Sequence, residues 1–309
     1  MRNLLYHSLA PNTRAAYKSG TNAFIEFCLQ YRRFTPHHSI LPATEETLML
    51  FASYLSLKVS PPTIKVYLAA VRNLHMEAGF PHLFDNLMLL PRLIRGIKRL
   101  YSHERRPRLP ITPHILLRFK QHINLNWHDH HLLWSAMIVA FFGFLRSSEL
   151  LTLCKEDILI LDKNTSPPTF GLHIRSSKTD PFRHTTVIRL PPTGDEALCP
   201  ARAVNYLINQ PNLSGPHSPL LQWSSGAAMT RQSLNNSIKL LAHHSGLNET
   251  QFSTHSFRIG AATTASAAGV PDCLIRTLGR WSSDAYQGYI RTPVSTLDKV
   301  ATSLATYRP

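Results

Sequence analysis

The chain has 309 residues, enough for two domains that each bury a hydrophobic core. Its 33 lysines and arginines exceed its 18 aspartates and glutamates. The resulting formal charge of +15 favours a polyanionic partner, either nucleic acid or an anionic membrane surface. The longest apolar run, 132–145, is too short for a membrane span, and the N-terminus lacks the apolar core of a signal peptide. We therefore expect an intracellular protein without a membrane-spanning segment.

The positive charge is spread over the whole chain. Residues 1–106 hold 14 basic and 6 acidic residues, and residues 107–309 hold 19 and 12, so neither part is merely a charged tail. The four cysteines are scattered without a C-x-x-C pair: Cys28, Cys154, Cys199 and Cys273. This pattern indicates reduced thiols rather than a disulfide framework or a zinc site.

The first 100 residues have the apolar spacing of helices. A first helix follows an Asn-Thr start signal at residues 12–13, and Thr44 is placed to cap a second helix. A third helix starts at Pro62 and stops at Gly79, and the basic segment 89–100 forms a short fourth one. Residues 1–100 are therefore predicted to be an all-helical domain.

Residues 101–113, rich in Arg and Pro, are interpreted as an interdomain linker. Their arginines suit a strap that follows a phosphate backbone, but a solvated charged linker fits the composition equally well. The second domain, residues 114–309, opens with helices at 114–124 and 130–145. Three β-like segments separated by turn residues follow: Ile158–Leu161, Phe170–Arg175 and His184–Leu190. The expected fold is mainly α with a small antiparallel β-sheet.

Basic and imidazole side chains gather near one predicted helix N-terminus. Ser253 and Thr254 are candidate caps for a helix that starts near His255, and Arg258 lies three residues further on. His255 and Arg258 therefore share one face of the first turn, where free N–H groups and the helix dipole already favour phosphate. This arrangement predicts an oxyanion or phosphate site.

Two further cations fit the same site. Arg146 ends the long apolar helix, and Ser147 or Ser148 is placed to cap the next helix. A charge after so buried a run requires a partner such as Glu149, or a bound ligand. Lys178 lies in the turn between two predicted strands, where its ammonium group would reach over a bound phosphodiester.

Aromatic residues follow close behind in the sequence. Trp281 comes directly after the glycine and arginine that end a predicted helix, and Ser282 or Ser283 caps a last helix that carries Tyr286 and Tyr289. An indole that only packs fits Trp281 as well as one that binds phosphate. We favour a packing role for Tyr286, which sits in the first turn near Trp281, and a chemical role for Tyr289.

Taken in order, six of these residues resemble the tyrosine recombinase, or phage integrase, family: Arg146, Lys178, His255, Arg258, Trp281 and Tyr289. The gap of 26 residues from His255 to Trp281 also matches, whereas the step of 8 residues from Trp281 to Tyr289 is one shorter than in many members. The helical N-terminal half resembles the family's core-binding (SAM-like) domain. The phrases HSFRIGAATTASAAG, GRWSSDAYQ and YIRTP are most similar to recombinases of eukaryotic DIRS and Crypton mobile elements.

The resemblance implies a core-binding domain at 1–100 and a tyrosine recombinase catalytic domain at 114–309. It implies cleavage and rejoining of DNA strands through a 3′-phosphotyrosyl intermediate, without metal, ATP or another cofactor. The implied roles are Tyr289 as nucleophile, Arg146 and Arg258 as phosphate clamps, His255 and Trp281 as donors or orienting groups, and Lys178 as general acid.

The resemblance also implies the partners. We expect double-stranded DNA enclosed by the two domains in a C-shaped clamp, and a homo-tetramer on that DNA to which a tail helix at Ser295–Ala305 contributes. The nucleus is the expected site of action. The candidates for phosphate or groove contacts in the first domain are Arg14, Lys18, Lys65 and Arg72.

Two alternatives stay open at the level of sequence. One is a DNA-binding protein that derives from a mobile element and no longer recombines. The other is a metal-dependent nuclease built on the histidine-rich segment WHDHHLLW at 127–134. That segment lacks the regular i, i+4 histidine pair with a glutamate that zinc enzymes of this kind use.

Overall fold

A computed structural model describes residues 7–35, 37–82, 84–101, 107–175 and 186–291, together with residues 302, 305 and 306. The chain divides into two compact units, Met1–Arg105 and Arg106–Pro309. None of the helices in this described part combines the length and the apolar character that a membrane crossing needs. The expected fold class is confirmed, because the described residues are mainly helical with one small antiparallel sheet.

The described residues of the first unit form α1 (Pro11–Gln30), α2 (Glu45–Ser56), α3 (Pro61–Glu77) and α4 (Leu90–Tyr101). Thr44 caps α2 as predicted, because its hydroxyl accepts a hydrogen bond from the Thr47 amide at 3.2 Å. Helices α1 and α3 start slightly earlier than predicted. Each begins with proline, whose missing N–H is not needed in the first turn of a helix.

Helix α1 packs closely against α3. A Cβ atom on Gly20 would lie 2.9 Å from the Cβ of Ala70, so the absence of a side chain permits this approach. Buried phenylalanines of α1 and α2 meet edge to face, with the ring centroids of Phe24 and Phe51 5.2 Å apart. The first unit therefore has a hydrophobic core of its own.

The described part of the second unit contains α5 (Pro113–Lys120), α6 (His128–Phe142), α7 (Ser147–Leu151), α8 (Pro200–Ile208), α9 (Arg231–His244), α10 (His255–Ala267) and α11 (Asp272–Leu278). Short 3₁₀ helices lie at Lys155–Asp157, Glu249–Gln251 and Asp284–Tyr289. The first two predicted helices of this unit therefore exist, but α5 ends at Lys120 and α6 ends at Phe142.

The sheet has the antiparallel order β1 (Ile158–Asp162), β2 (Thr169–Ile174) and β3 (Thr186–Leu190). Ile158 pairs with Leu172, and Phe170 pairs with Leu190. Strand β2 ends at Ile174, so Arg175, expected at its end, lies just outside it and forms ion pairs with Glu156 and Asp157. His184, expected at the start of the third strand, lies outside the described residues.

Helix α6 is the centre of the second unit. Its residues Leu132–Phe141 are all buried, as expected for a helix without a polar face. Helices α8 and α10 pack against it. The helix ends at Phe142, and Phe144 then takes a left-handed backbone conformation with φ of +49°. The resulting turn carries the chain to Arg146, close to the start of α10.

Two predicted helix starts need correction. Neither Ser147 nor Ser148 caps α7, because Arg146 holds the N-cap position and its amide donates to Glu149. Thr254 holds the N-cap position of α10 without a side-chain cap, and the His255 amide donates to the hydroxyl of Ser253 at 3.3 Å.

The last predicted helix is a 3₁₀ helix at Asp284–Tyr289, with Ser283 as its N-cap. A segment of 6 residues that contains Gly288 is too short and too weakly helical to favour a regular α-helix. Most of the predicted tail helix Ser295–Ala305 lies outside the described residues, and of its positions Thr302 and Ala305 are helical.

Candidate active site

Arg146 is held by Glu149, which lies three residues further along the chain. The guanidinium donates to Glu149 Oε1 at 2.7 Å, and the Arg146 amide donates to Oε2 at 2.9 Å. The Glu149 side chain is 1% exposed and that of Arg146 is 15% exposed, so this ion pair lies at the edge of the core. The spacing of three residues in a helical turn is what made this pairing predictable.

A second arginine reaches Glu149 from far along the chain. Arg280 Nη2 donates to Glu149 Oε2 at 2.8 Å, and its side chain is 10% exposed. Burial by itself would raise the pKa of Glu149, but Arg280 and Arg146 together hold that pKa below its ordinary value. Glu149 is therefore a carboxylate shared between two arginines.

Arg258 lies deepest in the site and is fully buried. Its guanidinium donates to the carbonyl oxygen of Phe144 at 2.5 Å and to the carbonyl oxygen of Gly279. The same group stacks on Trp281, 4.1 Å from the ring centroid. Burial, then the charges of Arg146 and Arg280, lower the pKa of Arg258 to about 9. The H-x-x-R arginine thus links the turn after α6 to the end of α11.

Tyr289 lies against the same group of side chains. Its ring centroid is 5.0 Å from that of His255 and 5.0 Å from that of Trp281, and the Arg258 guanidinium is 5.7 Å from the Tyr289 ring. His255 keeps an exposed face, yet partial burial of its ring, followed by the charge of Arg258, lowers its pKa. The imidazole is therefore neutral at pH 7.

The two candidate tyrosines differ in what their hydroxyl groups do. Tyr286 is buried, and its hydroxyl donates to Asp272 at 2.9 Å, a bond that raises the pKa of this phenol. The ring also packs near Trp281, at 6.3 Å between centroids. Tyr289 is half-buried, and its hydroxyl makes no hydrogen bond to any described residue. The Tyr286 hydroxyl is thus used in a hydrogen bond within the fold, whereas the Tyr289 hydroxyl is available to bind or attack a ligand.

Buried N–H donors without an acceptor mark this site. Arg258 Nε, Arg280 Nε and Trp281 Nε1 are inaccessible to solvent and have no hydrogen-bond partner among the described residues. A buried donor left unpaired costs about 1–3 kcal/mol. Three guanidinium groups accompany one carboxylate here, which leaves the four side chains with two positive charges. The arrangement is suited to an anionic ligand such as a phosphate group.

The fold is shared with solved DNA recombinases. The Tn1549 transposon integrase in complex with a circular intermediate DNA aligns with a TM-score of 0.63 at 15% identity, over 99% of this chain and 98% of that one. A lambda integrase dimer bound to a COC′ core site gives 0.62 at 15%, covering 94% and 74% of the two chains. The XerH site-specific recombinase bound to a palindromic difH substrate gives 0.61 at 16%, covering 95% and 79%.

The amino-acid sequence has a relative of the same kind. No protein-family model matches the chain. However, it is 25% identical over 290 residues to an integrase/recombinase XerD homologue of Selenomonas ruminantium, and the match covers 91% of this chain and 81% of the relative. The resemblance to tyrosine recombinases (integrases) that the residue pattern indicated is thus supported by both sequence and fold.

Five of the six residues that suggested this family come together in the second unit. The contacts above place five of them in one cluster around buried guanidinium groups: Arg146, His255, Arg258, Trp281 and Tyr289. Lys178, the sixth, lies outside the described residues.

Sequence reasoning missed Arg280 as a residue of this site. Its backbone has φ of +54°, a left-handed conformation that follows a helix end and that usually selects glycine or asparagine. An arginine directly after the glycine that ends a helix is the sequence pattern that could have drawn attention to it. Its partner Glu149 lies 131 residues away in the chain, a distance that no local pattern reveals.

The candidate DNA contacts of the first unit have different surroundings. Lys18 and Lys65 are exposed. Arg14 is half-buried and donates to the Leu9 carbonyl at 2.6 Å, and Arg72 is exposed and lies 3.3 Å from Asp85. Helix α4 adds an exposed basic face that was not among the candidates: Arg92, Arg95, Lys98 and Arg99.

The histidine-rich segment at 127–134 forms aromatic and polar contacts. The Tyr206 hydroxyl lies 3.2 Å from Nδ1 of His128, and the His131 ring stacks on Tyr206. His130 packs against Trp127, with centroids 5.1 Å apart. Among the described residues, no group of three or more His, Cys, Asp or Glu side chains is arranged to hold a metal ion.

Proposed function

We propose that this protein cleaves and rejoins duplex DNA by transesterification, with Tyr289 as the nucleophile. The phenol oxygen would attack the scissile phosphorus and form a 3′-phosphotyrosyl ester. The bond from phosphorus to the 5′ oxygen would break, and that oxygen would leave with a proton as a 5′-hydroxyl. Attack by the same or another 5′-hydroxyl reverses the step, so the ester conserves the bond energy and no nucleotide cofactor is required.

One observation carries this proposal. The available hydroxyl of Tyr289 belongs to a ring packed between His255 and Trp281, next to a buried guanidinium. A phenol is a poor nucleophile at neutral pH unless its surroundings favour loss of its proton. The positive charge of the arginines attracts the phosphate and stabilises the negative charge that builds up when the phenol oxygen attacks, so a single cluster serves both reactants.

The remaining residues have roles that follow from their chemistry. Arg146 and Arg258 would donate to the nonbridging oxygens, where charge builds up in the pentacoordinate transition state. The neutral imidazole of His255 can donate to or accept from the phosphate region. Lys178, outside the described residues, stays our candidate for the general acid that protonates the departing 5′ oxygen.

The proposal includes the partners. The basic residues of both units would neutralise DNA phosphates, with Lys18, Lys65 and the basic face of α4 as exposed candidates in the first unit. Lambda integrase, which shares the fold, forms a tetramer on a Holliday junction, and we propose a homo-oligomer on DNA here as well. A nuclear site of action stays a prediction.

Covalent trapping tests the proposal directly. Nicked suicide duplexes with randomised sequence around the nick are incubated with the protein in the presence of a metal chelator, and adducts that survive denaturant are captured and sequenced. We expect adducts with the wild-type protein and with Tyr286→Phe, and none with Tyr289→Phe. Duplex binding by the wild type without any adduct would instead favour a recombination-deficient DNA-binding protein, and an adduct lost only in Tyr286→Phe would reverse the assignment.

A further inference from the structure

Arg280 occupies a costly position in the fold. Its left-handed φ of +54° costs an ordinary residue about 1–2 kcal/mol relative to glycine, and its guanidinium is almost entirely buried. Strain of this kind persists where the surrounding contacts hold the residue in place, and such residues are frequent at functional sites. The contacts of Arg280 therefore indicate what it does.

Those contacts converge on the turn that presents Arg146. Arg280 Nη1 donates to the carbonyl oxygen of Gly143 at 3.2 Å, and Nη2 donates to that of Phe144 at 3.1 Å. Arg258 donates to the same Phe144 carbonyl, so two arginines hold one backbone oxygen. Phe144 is itself left-handed, which shows how sharply the chain must turn here. Arg280 thus fixes the segment that ends at Arg146.

The second group of contacts concerns charge. Glu149 offers one carboxylate oxygen to Arg146 at 2.7 Å and the other to Arg280 at 2.8 Å. Without Arg280, Glu149 would pair with Arg146 alone. The negative charge of Glu149 would then neutralise more of the positive charge of Arg146. An arginine neutralised in this way stabilises a phosphate less, because the field of the carboxylate cancels part of its own.

We propose that Arg280 is a positioning residue for phosphate chemistry, which keeps the charge of Arg146 available by sharing Glu149 with it. This inference rests on the proposed function of the same site. The charge of the four side chains supports it, since three arginines and one glutamate carry two positive charges. The pentacoordinate phosphorane formed when a phenolate attacks a phosphodiester carries two negative charges, and removal of Arg280 would take away one of the positive charges that stabilise it.

A double-variant comparison tests this sharing. Rates of adduct formation are measured for wild type, Arg280→Gln, Glu149→Gln and the combination of both. We expect Arg280→Gln to slow cleavage about 10- to 100-fold, the rate equivalent of one charge-assisted hydrogen bond. We expect the double variant to cleave at least about 3-fold faster than Arg280→Gln, because Glu149→Gln removes the negative charge that partly neutralises Arg146. Additive losses, or an unchanged rate in Arg280→Gln, would overturn the proposal.

Matched variants separate charge from folding. Arg202→Gln removes an arginine whose partner is the exposed Glu196, and it is expected to cleave like wild type. Arg280→Lys retains a charge next to Glu149 and is expected to cleave clearly faster than Arg280→Gln, although the lost fork geometry weakens the two carbonyl contacts that hold the turn before Arg146. If Arg280→Gln fails to fold, as judged by thermal unfolding, the folded Arg280→Lys protein decides, because severe loss of its cleavage would contradict the shared-charge role.

A second measurement does not depend on strand cleavage. Orthovanadate, a tetrahedral phosphate analogue that becomes five-coordinate when a further oxygen ligand binds it, is added at constant ionic strength and the increase in melting temperature is recorded. We expect a smaller increase for Arg280→Gln than for wild type, and a partial recovery in the double variant. If no variant and no wild-type protein forms an adduct, the proposed function fails, and this ligand response still decides whether Arg280 acts on the anion site.

Discussion

The hydroxyl of Thr263 donates a hydrogen bond to the carbonyl oxygen of Tyr289, 3.3 Å away, and accepts one from the amide of Arg291 at 3.1 Å. Thr263 lies on α10, the helix that also carries His255 and Arg258. The backbone that directly follows the Tyr289 side chain is therefore tied to the helix that carries the two proposed phosphate-binding residues. Within one chain, this arrangement already places Tyr289, the proposed nucleophile, beside Arg258.

We predict that each subunit attacks the phosphate held by its own arginines. Mixing Tyr289→Phe with Arg146→Lys should then yield no adduct on a duplex that binds two subunits, because neither protein has a complete site. The measurement is denaturing gel detection of the covalent product, with each variant also mixed with wild type to show that mixed complexes form. Efficient cleavage in the mixture of the two variants would mean that the tyrosine is delivered to a neighbouring subunit.

We predict that Arg146→Lys and Arg258→Lys both nearly abolish cleavage, while duplex affinity stays within a few-fold. Lysine keeps the charge but loses the planar fork, and loss of a transition-state donor costs about 2.7–4 kcal/mol. The two variants should differ in stability. Arg258 also bonds two backbone carbonyls and stacks on Trp281, so Arg258→Lys should lower the free energy of unfolding by roughly 2 kcal/mol more than Arg146→Lys. Thermal unfolding measures this difference, and equal melting temperatures would contradict it.

The sequence was sufficient to predict what depends on local periodicity. The buried helix α6 follows from an apolar run, Thr44 from its capping position, and the pairing of Arg146 with Glu149 from a spacing of three residues. The Phe144 carbonyl, in contrast, receives two arginines only because the end of α6 meets both α10 and the segment after α11. Such meetings are set by tertiary packing, and no local pattern encodes them.

The 3₁₀ helix at Asp284–Tyr289 illustrates the same limit. The serine cap and the short polar segment indicated a helix, and Ser283 does cap it through the Ala285 amide at 3.4 Å. The pattern did not reveal the contacts that the folded segment makes, with the Tyr286 hydroxyl bound to Asp272 and the Tyr289 carbonyl bound to Thr263. The contacts of Tyr286 agree with the packing role favoured from the sequence, whereas the reactive role of Tyr289 stays a prediction.

We predict that exposed lysines of the first unit contribute to the salt dependence of duplex binding. Lys18→Gln and Lys65→Gln, both at exposed positions, should each flatten the log–log slope of affinity against salt by about 0.9 if each makes one phosphate contact. Arg72→Gln should change the slope less, because its guanidinium already lies 3.3 Å from Asp85. Fluorescence anisotropy across a salt series measures the slopes, with Lys163→Gln as a control. Unchanged slopes in both lysine variants would exclude them as phosphate contacts.

We predict that the first unit loses stability as the pH falls below 6.5, because of His75. This imidazole is fully buried, and the amide of Ala43 donates to its Nε2 at 3.0 Å, so Nδ1 carries the proton that is donated to the Val71 carbonyl at 2.7 Å. Burial lowers the pKa of His75 below its ordinary 6.5, so the unfolded chain takes up a proton before the folded one does. The free energy of unfolding should therefore fall with pH from 6.5 down to the folded pKa and level off below it. Hydrogen exchange in peptides covering α3, corrected for the intrinsic rate, measures this in the full chain. The His75→Gln protein should be less stable at pH 7, and its stability should no longer depend on pH in this range. A wild-type exchange profile that is flat between pH 7 and about pH 5 would show that His75 does not titrate in this way.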